Sequence, residues 1–256
     1  MIGPRTFTFL GTGTSVGVPM LGCDCSVCTS THPRNSRYRS SVLINTPLGN
    51  LLIDTGPEMR LQLLREKVKL VNAVLYTHYH VDHLYGMDDL RLMSRYLNGP
   101  MPIYCTEEVE DVIRKVFSYA FHAEPAGWVP KLEFNRIDTE PFTALGQRIT
   151  PIPLLHSWFN VLGFRIADVA YCTDVSEIPE SSWPLLEGVR ILIIDALRYK
   201  HHPAHFGLDQ ALEVIERLDP EKAYLTHMSH EFDYLVLNPK LPAGVEMAYD
   251  GLSFVF

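Results

Sequence analysis

The sequence predicts an α/β fold of layered sheets covered by helices. Two observations carry this: short strand-like runs alternate with helical patterns throughout, and no polar linker is long enough to cut the 256 residues into separate halves. A single domain over residues 1–256 is expected, large enough to bury a core without disulfide staples. The stretches near Pro125–Pro130 and Asn238–Pro242 read as loops within it.

In chain order, Thr6–Leu10, Ser41–Ile44, Asn50–Ile53 and Ala73–Tyr76 are short apolar runs with Gly, Pro or Asn close by, which suits buried strands. Met87–Leu97 and Glu107–Phe121 read as helices. Asn160–Ile166, Val169–Cys172, Arg190–Ile194 and Lys222–Leu225 repeat the strand pattern. Leu208, Ala211, Leu212, Ile215 and Leu218 fall on one face of a helix spanning Leu208–Leu218.

Composition narrows the function. With 46% apolar and 20% charged residues the chain is ordinary globular material. A formal charge of -8 argues against a surface that neutralises many phosphates, so a long nucleic acid is a poor substrate. No apolar run approaches the roughly 20 residues of a membrane span, and the start, Met1 to Thr6, lacks a secretory apolar region. A soluble, cytoplasmic protein is expected. Three of five cysteines crowd into Cys23, Cys25 and Cys28, which in a reducing compartment points to metal binding.

The most informative stretch is Thr77-His78-Tyr79-His80-Val81-Asp82-His83, which follows the strand Ala73–Tyr76. Three imidazoles and a carboxylate at a strand end form a ligand cluster on a rigid base, suited to zinc, manganese or iron. The loop over residues 22–30 holds a second cluster, C-x-C-x-x-C, whose soft ligands suit a closed tetrahedral zinc. His230 is the best candidate for its fourth ligand, with three free thiols in a tight loop as the alternative. Cys105 and Cys172 sit in apolar runs and read as core residues.

H-x-H-x-D-H is the hallmark of the metallo-β-lactamase superfamily, which the chain resembles over nearly its whole length. Leu51 to Gly56 is similar to the strand and Asp turn that precede the motif. Leu155-His156, Cys172-Thr173-Asp174 and Leu225-Thr226-His227 follow in the family's order. The resemblance implies a four-layer αββα sandwich with a dinuclear centre. His78, His80 and His156 would bind one ion; Asp82, His83 and His227 would bind the other; Asp174 would bridge. Asp54 would orient a ligand, although alone it also suits a turn before Gly56. Two cations roughly 3.5–4 Å apart acidify a shared water and neutralise a phosphodiester's oxygens, work in which Asp54 and Asp82 take part.

Gly11 to Pro19, the Cys loop, and Leu225 to His230 together resemble the PhnP-type phosphodiesterases, relatives of tRNase Z that act on a phosphoribosyl cyclic phosphate. The resemblance implies a structural zinc on Cys23, Cys25, Cys28 and His230, a homodimer, and His205 as proton donor to the leaving oxygen. His205 also suits a helix cap before Leu208, and His201 and His202 stand close by. The glycines near Gly11 suit tight loop geometry or a phosphate contact, and no nucleotide P-loop is present. Arg198 and Lys200 are candidates for gripping a distal phosphate. The expected function is hydrolysis of a small cyclic phosphodiester. A tRNase Z-like endonuclease, a lactone or thioester hydrolase or β-lactamase, and a non-catalytic metal scaffold are the alternatives.

Overall fold

In the computed structural model, residues 3–122 and 129–256 are described. Among the described residues, fourteen strands alternate with seven α-helices. The strands are β1 Thr6–Gly11, β2 Ser41–Thr46, β3 Gly49–Ile53, β4 Ala73–Leu75, β5 Met101–Cys105, β6 Leu132–Arg136, β7 Phe142–Ala144, β8 Gln147–His156, β9 Phe159–Ile166, β10 Val169–Cys172, β11 Ile191–Asp195, β12 Lys222–Thr226, β13 Val245–Met247 and β14 Ser253–Val255. The helices are α1 Met59–Arg65, α2 Val81–Leu84, α3 Leu90–Tyr96, α4 Glu107–Val116, α5 Trp183–Leu186, α6 Leu208–Leu218 and α7 Tyr234–Leu237.

The strands form two seven-stranded sheets, ordered β14-β1-β2-β3-β4-β5-β6 and β13-β12-β11-β10-β9-β8-β7. Both are mixed. The first is antiparallel from β14 to β3 and parallel from β3 to β6, and the second is antiparallel from β7 to β10 and parallel from β10 to β13. In such sheets, binding crevices open outside the carboxyl ends of the parallel strands. The ends of β3, β4, β10, β11 and β12 are where the candidate site lies.

Strand alternation explains the layers, because neighbouring side chains point to opposite faces of a sheet. Phe7, Phe9, Val42, Ile44, Leu51, Ile53 and Leu75 face inward and meet Phe164, Ile166, Tyr171, Ile193 and Tyr224 of the second sheet. Their neighbours Leu10, Leu43, Leu52 and Val74 face outward and are covered by Met59, Leu63, Leu90, Val109 and Ile113. On the far side, Leu192, Ile194, Ala223 and Leu225 lie under Ala211, Val214 and Ile215 of α6. Phe9 is fully buried between the sheets. Phe9→Ala is expected to cost about 3–5 kcal/mol, read from urea unfolding, because the surrounding rings cannot collapse into the void.

Each of the eight predicted strands is present to within two residues, and α6 has the predicted bounds. The run Glu107–Phe121 is not one helix. Thr106 caps α4 by accepting from the amide of Val109, but the helix stops at Phe117, which turns out of helical geometry as its ring enters the core. A short 3-10 turn, Ser118–Phe121, follows. Met87–Leu97 likewise opens with a 3-10 turn at Met87–Asp89 before α3. Part of the expected loop Asn238–Pro242 is a 3-10 turn, and most of Pro125–Pro130 lies outside the described residues. Among the described residues, no helix is long and apolar enough to cross a membrane.

Candidate functional site

At the carboxyl edge the chain leaves β3 through Asp54, whose φ of 65° is left-handed. Asp174 after β10 and His227 after β12 share that geometry, each with a φ of 56°. Such backbone costs a side chain about 1–3 kcal/mol and persists where surrounding bonds hold it. At Asp54 the holding bonds are explicit. Its Oδ1 accepts from the amide of Thr77 at 2.9 Å, and its Oδ2 accepts from the Thr77 hydroxyl at 2.8 Å and from His83 Nδ1 at 2.7 Å. Asp54 thus fixes both ends of the His motif. Gly56 makes the docking possible, since a Cβ there would stand 2.5 Å from the Asp82 carbonyl oxygen.

Hydrogen bonds also choose which imidazole nitrogen faces the site. The Thr77 hydroxyl gives its proton to Asp54, so at 2.9 Å it accepts from His78 Nδ1. His156 Nδ1 donates to the carbonyl of Ala204 at 2.5 Å. His78, His83 and His156 therefore present Nε2. Burial lowers His78, His80 and His156 below the ordinary imidazole range, which leaves neutral nitrogens with free lone pairs. His83 goes the other way. Burial opposes its charge, but Asp174, Asp82 and Asp54 outweigh it and raise the group well above the usual value.

The structure gathers these residues into two adjacent groups, His78 with His80 and His156, and Asp82 with His83, Asp174 and His227, the ligand atoms of each lying within 4.8 Å of one another. Asp174 stands between them. Its Oδ1 is 3.2 Å from His83 Nε2, and its Oδ2 is 3.3 Å from His227, 3.9 Å from His156 and 4.0 Å from His78. Burial pushes Asp82 and Asp174 up, yet the facing histidines hold both carboxyls well below the usual range. Buried atoms here without a hydrogen-bond partner include His78 Nε2, Asp82 Oδ2, His83 Nε2 and both ring nitrogens of His227. Leaving such groups unsatisfied is costly, and converging lone pairs around a carboxylate are what a divalent cation requires. The donor set fits such ions.

His205 lies over this site, its ring 4.5 Å from that of His156 and 4.7 Å from that of His227. It is not the cap of α6, whose cap position is Gly207. Instead its Nδ1 donates to Asp195 Oδ2 at 2.8 Å, which leaves Nε2 for the site. Burial disfavours its charge, but Asp195 prevails and pushes it up to about 9. Asp195, fully buried, is the residue that sequence reasoning missed. Its Oδ2 also accepts from the amide of Val175, while Oδ1 lies 3.9 Å from His227 Nδ1. The signal available was its place, a carboxylate closing an apolar strand.

The second cluster brings Cys23, Cys25, Cys28 and His230 within 4.8 Å. His230 Nδ1 is 3.3 Å from both Cys23 Sγ and Cys25 Sγ. Ligands about 2.1–2.3 Å from a tetrahedral zinc stand roughly 3.6 Å apart, so the spacing fits. The Cys28 amide and His230 bring the Cys25 thiol down to about 6, whereas burial pushes Cys28 up to about 11. Beneath the loop, buried Arg37 donates to the carbonyls of Ser229 and Phe232, at 3.0 and 2.6 Å, bracing the segment that carries His230. The Gly-rich segment serves tight packing. Gly13 donates to the Tyr38 carbonyl at 2.8 Å, and a Cβ on it would stand 2.8 Å from the Arg37 carbonyl oxygen. Thr12 and Thr14 pair with the backbone of Met228, next to His227.

Cys105 and Cys172 are buried core residues. The Arg198 guanidinium donates to the carbonyls of Lys200 and His201. His202 lies beside His205, the rings 5.3 Å apart, and its Nδ1 accepts from the amide of Ala204.

A family model described as "Beta-lactamase superfamily domain" matches residues 49–228. A crystal structure described as a new diphosphatase from the PhnP family superposes with a TM-score of 0.94 at 40% identity, covering 100% of this chain and 98% of that one. Human short-form tRNase Z shares the fold, with a TM-score of 0.72 at 18% identity over 97% of this chain and 98% of that one. An Octanoyltransferase of Porphyromonas gingivalis is 34% identical over 253 residues, a match taking in 96% of this chain and 50% of the relative. The chain therefore spans about half the length of that relative. A Ribonuclease Z of Pyrobaculum aerophilum is 21% identical over 241 residues, 78% of this chain and 84% of its own length.

Proposed function

The chain belongs to the metallo-β-lactamase superfamily and, within it, to the PhnP family, and on that premise we propose that it is a dinuclear-metal phosphodiesterase acting on a small molecule. The observation that supports this is the position of Asp174 between two groups of candidate ligands, with the unpartnered Nε2 atoms of His78, His83 and His227 among them. His78, His80 and His156 would hold one divalent ion, Asp82, His83 and His227 the other, with Asp174 shared. Zinc, manganese and iron all suit this donor set. Bound there, the ions supply positive charge against the phosphoryl oxygens and acidify an adjacent water.

The chain's own residues do the rest. Asp54 keeps His83 and the His78–His80 segment in register through its three hydrogen bonds. Asp82, held ionised, carries an open oxygen into the site, available to a cation and to a hydrogen of the attacking water. As water's oxygen bonds to phosphorus and the opposite P–O bond breaks, the departing oxygen takes a proton from His205 Nε2. Asp195 keeps that imidazole charged and aimed. The Cys loop and His230 would hold a structural zinc. Cys25→Ser is expected to leave two metals per chain where wild type carries three, and to lower the unfolding temperature by about 5–10 °C, read by mass spectrometry and calorimetry.

A small cyclic phosphodiester remains the proposed substrate. The 40% identity to a PhnP-family diphosphatase favours a second reading, a diphosphate, in which the phosphorus again carries two substituents. The charge of -8 disfavours a tRNase Z-like substrate gripped through many phosphates, whose affinity would fall steeply with salt. We also propose a homodimer, supported by the exposed apolar residues Leu64, Leu92 and Tyr96 on α1 and α3 and testable by light scattering.

The test is turnover of ribose 1,2-cyclic phosphate, bis(p-nitrophenyl) phosphate and a dinucleoside diphosphate by metal-counted protein. Hydrolysis of the first two supports the phosphodiester reading, and cleavage of the third alone supports the diphosphate. A fully metallated chain inert on all three would direct attention to acyl esters, as the Octanoyltransferase relative suggests.

A further inference from the structure

We propose that Trp158 is a stacking platform for a planar ring on the substrate, so that the preferred substrate is a phosphodiester or diphosphate bearing an aromatic heterocycle, as nucleotides do. The inference rests on the reading of the metal site as a phosphoryl hydrolase and names the class of group that site recognises.

Trp158 is 82% exposed, which is unusual for a side chain whose burial is worth so much. Trp183, by contrast, packs against the core with the Arg217 guanidinium 3.4 Å from its ring centroid. Nothing in the fold requires an indole at position 158. Its location is what distinguishes it: Ser157 and Trp158 form the two-residue tip of the β8–β9 hairpin, immediately after the candidate ligand His156.

The tip is held in place. The Ser157 amide donates to Ser176 Oγ at 2.8 Å, and Ser176 returns its own amide and hydroxyl to the Leu155 carbonyl. Ser157 adopts a left-handed φ of 59° within this frame. A backbone held before binding loses little entropy when a ligand lands on the side chain it carries. From Trp158 a row of rings leads to the metal site: Trp158 meets Phe159 at 5.3 Å, and Phe159 meets His80 at 4.9 Å and His156 at 5.0 Å. The inner contact of the indole is taken by Phe159, while the rest of the ring is open. One aromatic ring, Phe159, thus separates the indole from the imidazoles of His80 and His156, which places Trp158 at the rim of the metal site. A ring-free sugar phosphate would leave the platform empty.

Stacking of a base on an aromatic side chain corresponds to roughly a 5- to 100-fold change in affinity. In metal-loaded enzyme, Trp158→Ala is expected to raise KM for diadenosine diphosphate by that factor. The kcat, and KM for ribose 1,2-cyclic phosphate, should stay within twofold of wild type, and Trp158→Phe should recover most of the loss. Equal KM values for wild type and Trp158→Ala on diadenosine diphosphate, or equal losses on both substrates, would overturn the proposal. A second readout needs no turnover. Adenosine 5'-monophosphate should quench tryptophan fluorescence saturably in wild type and not in Trp158→Phe; quenching that persists in the variant, or is absent from wild type, counts against the platform. Wild type that quenches yet hydrolyses none of the phosphate esters would refute the phosphoryl-hydrolase reading and leave the platform standing.

Discussion

Replacing His205 with alanine is expected to lower kcat by about 10²–10⁴-fold while the protein keeps its full complement of metals. The expectation follows from the division of labour at its ring. Nδ1 is committed to Asp195 at 2.8 Å, so Nε2 is the nitrogen able to serve a departing oxygen. Asp195 outweighs burial and pushes the group up to about 9, which favours its protonated form at neutral pH. Activity that depends on a protonated His205 is present below that value and lost as pH rises through it; cations bound nearby would move the midpoint lower. Alanine should therefore remove the alkaline limb of the pH profile along with the rate. Asp195→Asn should move that limb to lower pH without abolishing turnover, because the imidazole loses the charge that favours its proton. A His205→Ala enzyme with both metals and undiminished kcat would show that the leaving oxygen finds its proton elsewhere.

The larger loss is expected at Asp174. Its two oxygens face four imidazoles, from both groups of candidate ligands, at 3.2–4.0 Å. Asp174→Ala should reduce activity by about 10³-fold or more and leave fewer than two ions in the dinuclear site. Apart from the metals, the substitution removes the carboxylate with the largest favourable influence on His83, whose protonation should then fall toward the ordinary range. Mass spectrometry of the purified variant, beside circular dichroism to establish that it is folded, separates lost metal from lost fold. Two bound ions with wild-type turnover would sink the shared-ligand assignment.

Much of this was legible in the sequence because the informative residues are packed close together or stand at strand ends. His78 to His83 announce themselves by local density, and Asp54, His156, Asp174 and His227 each follow an apolar run. The layered architecture was readable for a related reason, since β3, β4 and β10 to β12 are short, continuous and apolar. What escaped was what depends on distant partners. Asp195 looks like any acid closing a strand until the fold sets His205 on one of its oxygens and His227 beside the other. Arg37 drew no notice in the sequence and is buried beneath the chain from Ser229 to Phe232. Left-handed backbone at Asp54, Asp174 and His227 left no mark in residue type, because none is glycine. Helices α1, α2, α5 and α7, strands β5, β6, β7, β13 and β14, and all of β8 but its end at His156 were missed for want of a periodicity strong enough to stand apart from their neighbours.

His227 and His230 sit three residues apart, yet one completes the candidate dinuclear set and the other the Cys cluster. During synthesis this makes the Cys loop an early arrival with a late partner, since 207 positions separate Cys23 from His230. A ribosome adding about 5–20 residues per second takes roughly 10–40 s to cover that distance. For that interval the three thiols are made but lack the imidazole that would close a metal site with them, and they stand open to oxidation. The yield of metallated protein from a cell should accordingly depend on the redox conditions met by the growing chain, as well as on the supply of zinc.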